Sequence, residues 1–324
     1  MIYSESFKKR PGNYKIMKRI DEQYVTLCSE KKRQAIKIQS EIIKSSGDFL
    51  RKKRFTEILP VIISPITDPL RHATGNAVIE YYNHKYHLTR SMIFHKQLSL
   101  LSLDKIFCYS PNVRLEPIEL SETGKHLVEF VQLDLEVKDA TRNDVIKTGE
   151  RLVVHVLQHI KKNCEGELHF FNRELNVPNL PFERINYADA YEKYGGNFEI
   201  ILSQKYNAPF WIVDIPLTAR EFYDKENPEK TGTLLDMDLI YPEGFGEALS
   251  GGEREYEYEH IVNRIKKQGL KPDDFAIYLE FVKHGLPRSA GFGIGIERFT
   301  RYVCGVKRIE EVTLFPKTPG VLSI

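Results

Sequence analysis

The sequence predicts an α+β fold, a mostly antiparallel sheet backed by helices. Three observations carry this. Helix-period and strand-period segments follow one another irregularly, without the steady strand–helix rhythm of a parallel sheet. Ala77 to Leu88, broken at Asn83-His84, reads as a hairpin. From Val128 to Val137 the residues alternate strictly, so Val131, Leu133, Leu135 and Val137 share one face and Phe130, Gln132, Asp134 and Glu136 the other.

In chain order, Glu30 to Arg54 is expected to be a long helix, with Ile36, Ile38, Ile42, Ile43, Phe49 and Leu50 as its apolar stripe and its mixed charges as a solvated face. Phe55 to Ile66 turns to β-branched residues, and Pro60 and Pro65 confine it to a sheet edge. Phe94 to Leu103 reads as a short helix and Thr141 to Lys162 as a long one. Asn186 to Tyr206 gives one or two short helices, and Pro209 to Ile215 and Leu234 to Tyr241 give strands. Glu255 to Gln268 and Pro272 to His284 read as helices, and a glycine-rich strand runs into a helix between Gly291 and Val303. No repeat, low-complexity tract or linker interrupts the chain, so residues 1–324 are expected to form one domain.

At 324 residues and 41% hydrophobic content the chain can bury a large core. Its formal charge of +2 lacks the basic surplus of a nucleic-acid binder, which argues against tRNA as a partner. Cys28, Cys108, Cys164 and Cys304 lie far apart, without zinc spacing or a disulfide framework, and fit a reducing cytoplasm. The polar, basic start, Met1 to Lys18, has no apolar core, and no run approaches the ~18 apolar residues of a membrane span.

Charge gathers in four stretches. Arg114-Leu115-Glu116 is expected on a strand leading through a polar loop, Pro117 to Lys125, into the alternating strand. Alone, Arg114 and Glu116 would be an ordinary cross-strand ion pair. Beside Phe130 and a row of polar groups, they mark a sheet face with something to bind. Gly291-Phe-Gly-Ile-Gly-Ile-Glu297-Arg298 is the second stretch; it has neither the G-x-G-x-x-G dinucleotide spacing nor a Gly-Lys-Ser/Thr phosphate loop. Asp238 and Glu247 form the third, on and just after a strand, and Ser250-Gly251-Gly252-Glu253-Arg254 the fourth.

Together these stretches resemble the catalytic core of the class II aminoacyl-tRNA synthetases, in particular the aspartyl and asparaginyl branch, over about the whole chain. The resemblance implies the class II antiparallel sheet flanked by helices, and ATP with Mg²⁺ as cofactors. It assigns Arg114 to the α-phosphate, where a planar fork meets anionic oxygens and stabilises the attacked phosphorus. It assigns Glu116 to the adenine amino group, Phe130 to stacking on the base, His126 to the terminal phosphates and Arg298 to adenine and the γ-phosphate. Asp238 and Glu247 would hold magnesium, which asks for only one or two carboxylates when phosphates supply the rest. Arg254 and Lys96 would grip the amino acid's distal carboxylate, Asp134 its ammonium, and Gln132, Gly251 and Ser289 would complete the pocket. Two cations favour aspartate over asparagine, charge-assisted bonds being worth ~1.5–3 kcal/mol each.

The chain departs from that branch at several points: Lys125 stands where an arginine is usual, and the span from Asp238 to Glu247 is two residues longer than in archaeal-type aspartyl enzymes. Arg19-Ile20-Asp21 and the long helix resemble the beginning of the family's core, and Phe315-Pro316 its end, so no anticodon-reading OB-fold is expected ahead of it. Ile93 stands where a glutamine is usual, and Ser289 where a histidine is. Such a core resembles the archaeal asparagine synthetases related to asparaginyl-tRNA synthetase. That resemblance implies an AMP-forming aspartate–ammonia ligase, in which ammonia opens an aspartyl-adenylate to asparagine. Two alternatives stay open: a ligase acting on tRNA or another acceptor, and a non-catalytic paralogue that binds amino acid or nucleotide. A homodimer along the long helix and the Phe55 to Pro69 segment is also implied.

Overall fold

The computed structural model describes residues 20–72 and 74–324. The basic stretch Lys8 to Lys18 and Arg19 lie outside the described residues. Two helices come first, α1 (Ile20–Leu27) and α2 (Glu30–Lys52). Ser29 caps α2 by accepting from the Lys32 amide, and the apolar stripe buries Ile38, Ile42 and Leu50 completely. One charge on α2 is not solvated: Lys32 is buried and donates to the carbonyls of Glu310 and Thr313.

Strands β1 (Thr56–Glu57) and β2 (Ile63–Ser64) are the two short pieces that Pro60 and Pro65 permit. The hairpin β3 (Val78–Tyr81) and β4 (His84–Leu88) turns through Tyr82 and Asn83, both at positive φ, and joins β2 in a three-stranded sheet. The segment assigned to subunit contact leaves Leu59, Ile62 and Ile63 exposed. Next come α3 (Ile93–Ser99), β5 (Lys105–Val113), β6 (Glu129–Lys138), α4 (Arg142–Asn163), α5 (Glu165–Phe170) and β7 (Glu183–Asn186). Thr141 and Asp144 form a reciprocal capping box at the start of α4. The chain continues through α6 (Tyr187–Tyr194), α7 (Phe198–Lys205), β8 (Phe210–Val213), β9 (Asp236–Tyr241) and β10 (Gly246–Glu253). It closes with α8 (Tyr258–Lys267), α9 (Ala276–His284), β11 (Ser289–Gly295) and α10 (Ile296–Cys304).

The main sheet runs β1-β5-β6-β11-β10-β9-β8-β7. Its six central strands are antiparallel, while β1 on β5 and β7 on β8 add parallel pairs at the edges. The α+β expectation therefore holds, with a mixed sheet. Two strands escape a reading by propensity. β5 contains Pro111, tolerated because β1 pairs only with Ile106 and Phe107 and leaves the rest of that edge open. β10 contains Gly246, Gly251 and Gly252, and pairing on both sides overrides their weak preference.

One face of the sheet is apolar. Leu133, Leu135, Phe292, Leu249, Met237 and Trp211 pack there with the buried sides of α2, α4 and α10. Gly149 lets α4 approach closely, since a Cβ there would lie 3.3 Å from the Trp211 ring. A second cluster, built from Phe94, Phe222, Ile261, Ile265 and Tyr278, joins α3, α8 and α9. None of the described helices is long and apolar enough to cross a membrane. Thr141→Ala removes one side of the α4 capping box and is expected to cost about 1 kcal/mol, read as a lower denaturation midpoint in urea.

Candidate active site

The other face of the central strands carries charge, and register explains how. Glu136, Gly291, Gly252 and Asp236 stand opposite one another across β6, β11, β10 and β9. Asp134, Gly293, Ser250 and Asp238 form the neighbouring row. Acids thus flank a lane of glycine. A Cβ on Gly291 would meet the Glu136 carboxylate at 2.0 Å, and one on Gly293 would meet Asp134 at 3.0 Å. The glycines of β11 make room for the acidic side chains of β6.

Over these rows lies a cavity of about 500 Å³, lined by Lys96, Gln132, Asp134, Gly251 and Arg254 and also by Arg114, Glu116, His126, Phe130, Glu247 and Arg298. Two expected site residues do not line it. Ser289 is buried behind, donating to Glu136 Oε1 at 2.9 Å, because its place on β11 faces that carboxylate. Asp238 is held back by Arg220.

The cations are already engaged. Lys96 Nζ lies 2.7 Å from Asp134 Oδ1 and 3.9 Å from Glu136 Oε2. Arg254 donates through Nε to Glu136 at 3.2 Å, through one terminal nitrogen to Asp224 at 2.8 Å, and through the other to the Gly291 carbonyl at 3.0 Å. Asp224 and Glu136 hold the Arg254 guanidinium charged despite burial. The expectation of two free cations is thus corrected: two cations meet three carboxylates, and the cavity wall adds Asp68 and Glu221. Burial, with Asp68 and Asp224 nearby, pushes Glu221 up to about 7.

Farther along β6, the Arg114 guanidinium carbon stands 5.1 Å from the centre of the Phe130 ring, and its Nε donates to the Arg90 carbonyl at 3.1 Å. Arg114 sits just past β5, its amide bonded to the Val128 carbonyl at 2.8 Å as a continuation of the ladder. Glu116 meets His72 Nε2 at 3.1 Å through one oxygen; the other is buried without a partner. Burial and the Arg298 charge push His126 down to about 4, so the imidazole is neutral at pH 7. Arg298 donates to Glu247 Oε1 at 3.0 Å. Burial would raise the Glu247 carboxyl, but Arg298, Arg220 and Arg114 outweigh it and hold it below its ordinary value. These arginines converge on one carboxylate from distant parts of the chain.

Among the described residues no three His, Cys, Asp or Glu side chains gather as a metal cluster. Magnesium carried on phosphates needs fewer donors. The Glu247 carboxylate and the buried, unpartnered Asp238 Oδ1 suit it chemically.

Sequence reasoning passed over Asp68, His72, Arg220, Glu221, Asp224 and Asp236, all lining the cavity. They lie in segments without periodicity, where a lone charge looks like a surface charge. Only Asp236 carried a signal, since it alternates with Asp238 along β9.

A sheet with helices on its apolar face and a nucleotide-sized, arginine-lined cavity on its polar face defines a class II synthetase core. The chain belongs to the family of class II tRNA synthetases for D, K and N, which matches residues 15–319. It is similar to an asparagine–tRNA ligase of Thermococcus gammatolerans, 29% identical over 321 residues that make up 94% of this chain and 73% of that protein. Among solved structures it resembles the asparaginyl-tRNA synthetase of Pyrococcus horikoshii complexed with asparaginyl-adenylate. The TM-score is 0.86 at 27% identity, covering 93% of this chain and 72% of the other. The Entamoeba histolytica asparaginyl-tRNA synthetase in complex with asparaginyl-adenylate gives 0.82 at 26%, covering 93% and 71%.

These relatives overturn the expectation that tRNA is an unlikely partner: the proteins matched over more than nine-tenths of the chain are named for tRNA. Net charge averages over the whole surface and so does not exclude a local RNA contact.

Burial pushes Glu297, whose two oxygens accept from the Val131 amide at 3.1 Å, up to about 7. The folded protein therefore keeps a proton that the unfolded chain, with an ordinary value of 4.5, releases. This contribution is fully present below 4.5 and is lost as pH rises through 7. Glu297→Gln, which mimics the protonated acid, is expected to raise Tm at pH 8 by about 3 °C or more and to leave it unchanged at pH 4, read by thermal unfolding.

Proposed function

We propose that this chain is an ATP-dependent ligase that adenylates aspartate and passes the aspartyl group to tRNA. The observation that carries this is the meeting, in one cavity, of Arg114 and Arg298 with Lys96 and Arg254. The first pair suits a polyphosphate, and the second suits the acidic end of an amino acid.

An amino-acid carboxylate oxygen attacks the α-phosphorus; the new C–O–P bond forms as the bond to the leaving pyrophosphate breaks. Arg114 fits the α-phosphate because its fork is pinned by the Arg90 carbonyl and backed by Phe130. Charge then grows on oxygens that a preset guanidinium already faces. Glu116 offers its unpartnered oxygen to an exocyclic amine, with Phe130 as the stacking surface. Asp238, through Oδ1, and Glu247 would hold magnesium, which supplies charge neutralisation for the leaving pyrophosphate. Arg298 lies on Glu247 and serves the same leaving group.

Lys96 supports aspartate over asparagine. Its ammonium donates to Asp134 and to the Phe292 carbonyl, leaving a third proton for the cavity. Arg254 stands beside it, fixed by Glu136 and Asp224, and the unpartnered Asp134 Oδ2 is free for the substrate ammonium. Ile93 and Ser289 then shape the pocket without contributing charge. The amide-forming alternative, with ammonia as acceptor, has less support, because the relatives are named for tRNA.

Pyrophosphate exchange with ATP tests the first half-reaction and is expected with aspartate more strongly than with asparagine. Aspartate-dependent labelling of tRNA tests the second; asparagine and AMP made from aspartate and ammonium without tRNA would reassign the acceptor. Arg114→Ala should slow exchange ~10²-fold or more, and near-normal exchange would remove Arg114 from the chemistry. Lys96→Met should slow aspartate-dependent exchange about tenfold more than asparagine-dependent exchange, measured as the ratio of kcat/KM values. An unchanged ratio would detach Lys96 from side-chain recognition.

A further inference from the structure

Arg220 is the cavity arginine for which the proposed chemistry has no task. It follows the short turn Leu217–Ala219, and its carbonyl accepts from Gln268 Nε2 at 2.9 Å, which anchors its backbone. Its side chain bridges β9, with Nε donating to Asp236 Oδ2 at 3.0 Å and a terminal nitrogen to Asp238 Oδ2. Those acids point to the same face of β9, the face of the glycine lane. Both have their other oxygen, Oδ1, buried without any hydrogen-bond partner, and Asp236 is only 1% exposed.

One guanidinium thus bridges a buried and a partly buried carboxyl group, and an orphaned acceptor remains on each of them. Such a pair invites a divalent ion. Yet the planar fork of Arg220 spans the two acids and occupies one oxygen of each. We infer that Arg220 is a built-in counter-ion that keeps the β9 carboxylates from taking a divalent cation until a nucleotide delivers one. This rests on the proposed magnesium position at Asp238 and Glu247. Arg220 is a positioning residue here. It keeps Asp236 and Asp238 oriented in the free protein and yields Asp238 when phosphate-borne metal arrives.

The guard is removable. With Arg220→Met, Asp236, Asp238 and Glu247 lose their shared cation, and a metal alone can replace it. The experiment titrates Mn²⁺ into wild type and R220M without nucleotide, with binding read by electron paramagnetic resonance of free Mn²⁺. Wild type is expected to bind weakly until ATP is added, and R220M to bind Mn²⁺ alone about tenfold or more tightly than wild type does. Arg220→Lys, which keeps a charge but cannot span both acids, is the second variant, should R220M not fold; it is expected to fall between the two. Nucleotide-free Mn²⁺ binding by wild type as tight as by either folded variant would overturn the inference. Wild-type pyrophosphate exchange is scored separately: its absence would sink the adenylation reading while the Mn²⁺ contrast still decides the role of Arg220.

Discussion

The site depends on one constraint: acidic side chains on β6 and β9 share a sheet face with glycines on β11 and β10. Glu136 leans so close to Gly291 that even a methyl group would lie 2.0 Å from its carboxylate. A carboxylate buried against backbone is costly unless cations answer it. The chain supplies them from three directions: Lys96 from α3, Arg254 from the end of β10, and Arg220 from the loop before β9. The glycine lane leaves the space, the acids set the charge, and the cations cross the gap.

The same network changes how a charged pocket should be read. Counting Lys96 and Arg254 as free positive charges overstates their pull, because Asp134, Glu136 and Asp224 already neutralise them. What they offer a ligand is fixed geometry and a few remaining donors. Discrimination then comes from which hydrogen bonds can be completed and less from net attraction. Electrostatics also works at a distance: the charges of Arg298, Arg220 and Arg114 together hold the half-buried Glu247 carboxyl below its ordinary value.

Much of the fold was legible. The stripe of α2, apart from the exposed Ile43, the helix of α4 and the alternation of β6 are local patterns that tertiary packing had no reason to override. β5 and β10 were not legible, because a proline in one and three glycines in the other speak against strands unless neighbours supply the pairing. Within the site, Arg114, Glu116, Phe130, Glu247, Arg254 and Arg298 could be named because they belong to motifs, and all line the cavity. Arg220, Glu221, Asp224 and His72 belong to no pattern, and Ser289 was placed in the pocket although its strand position turns it toward Glu136.

By itself, then, the sequence determined which segments alternate, which residues carry charge beside glycine, and which family the motifs resemble, since each follows from neighbours in the chain. Only the tertiary structure decided which charges meet. Glu136 pairs with Arg254 across 118 positions and Asp134 with Lys96 across 38, and such contacts come from sheet order and register. Register also chose which side of each strand faces the cavity: a shift of one residue would have turned the acids into the apolar core.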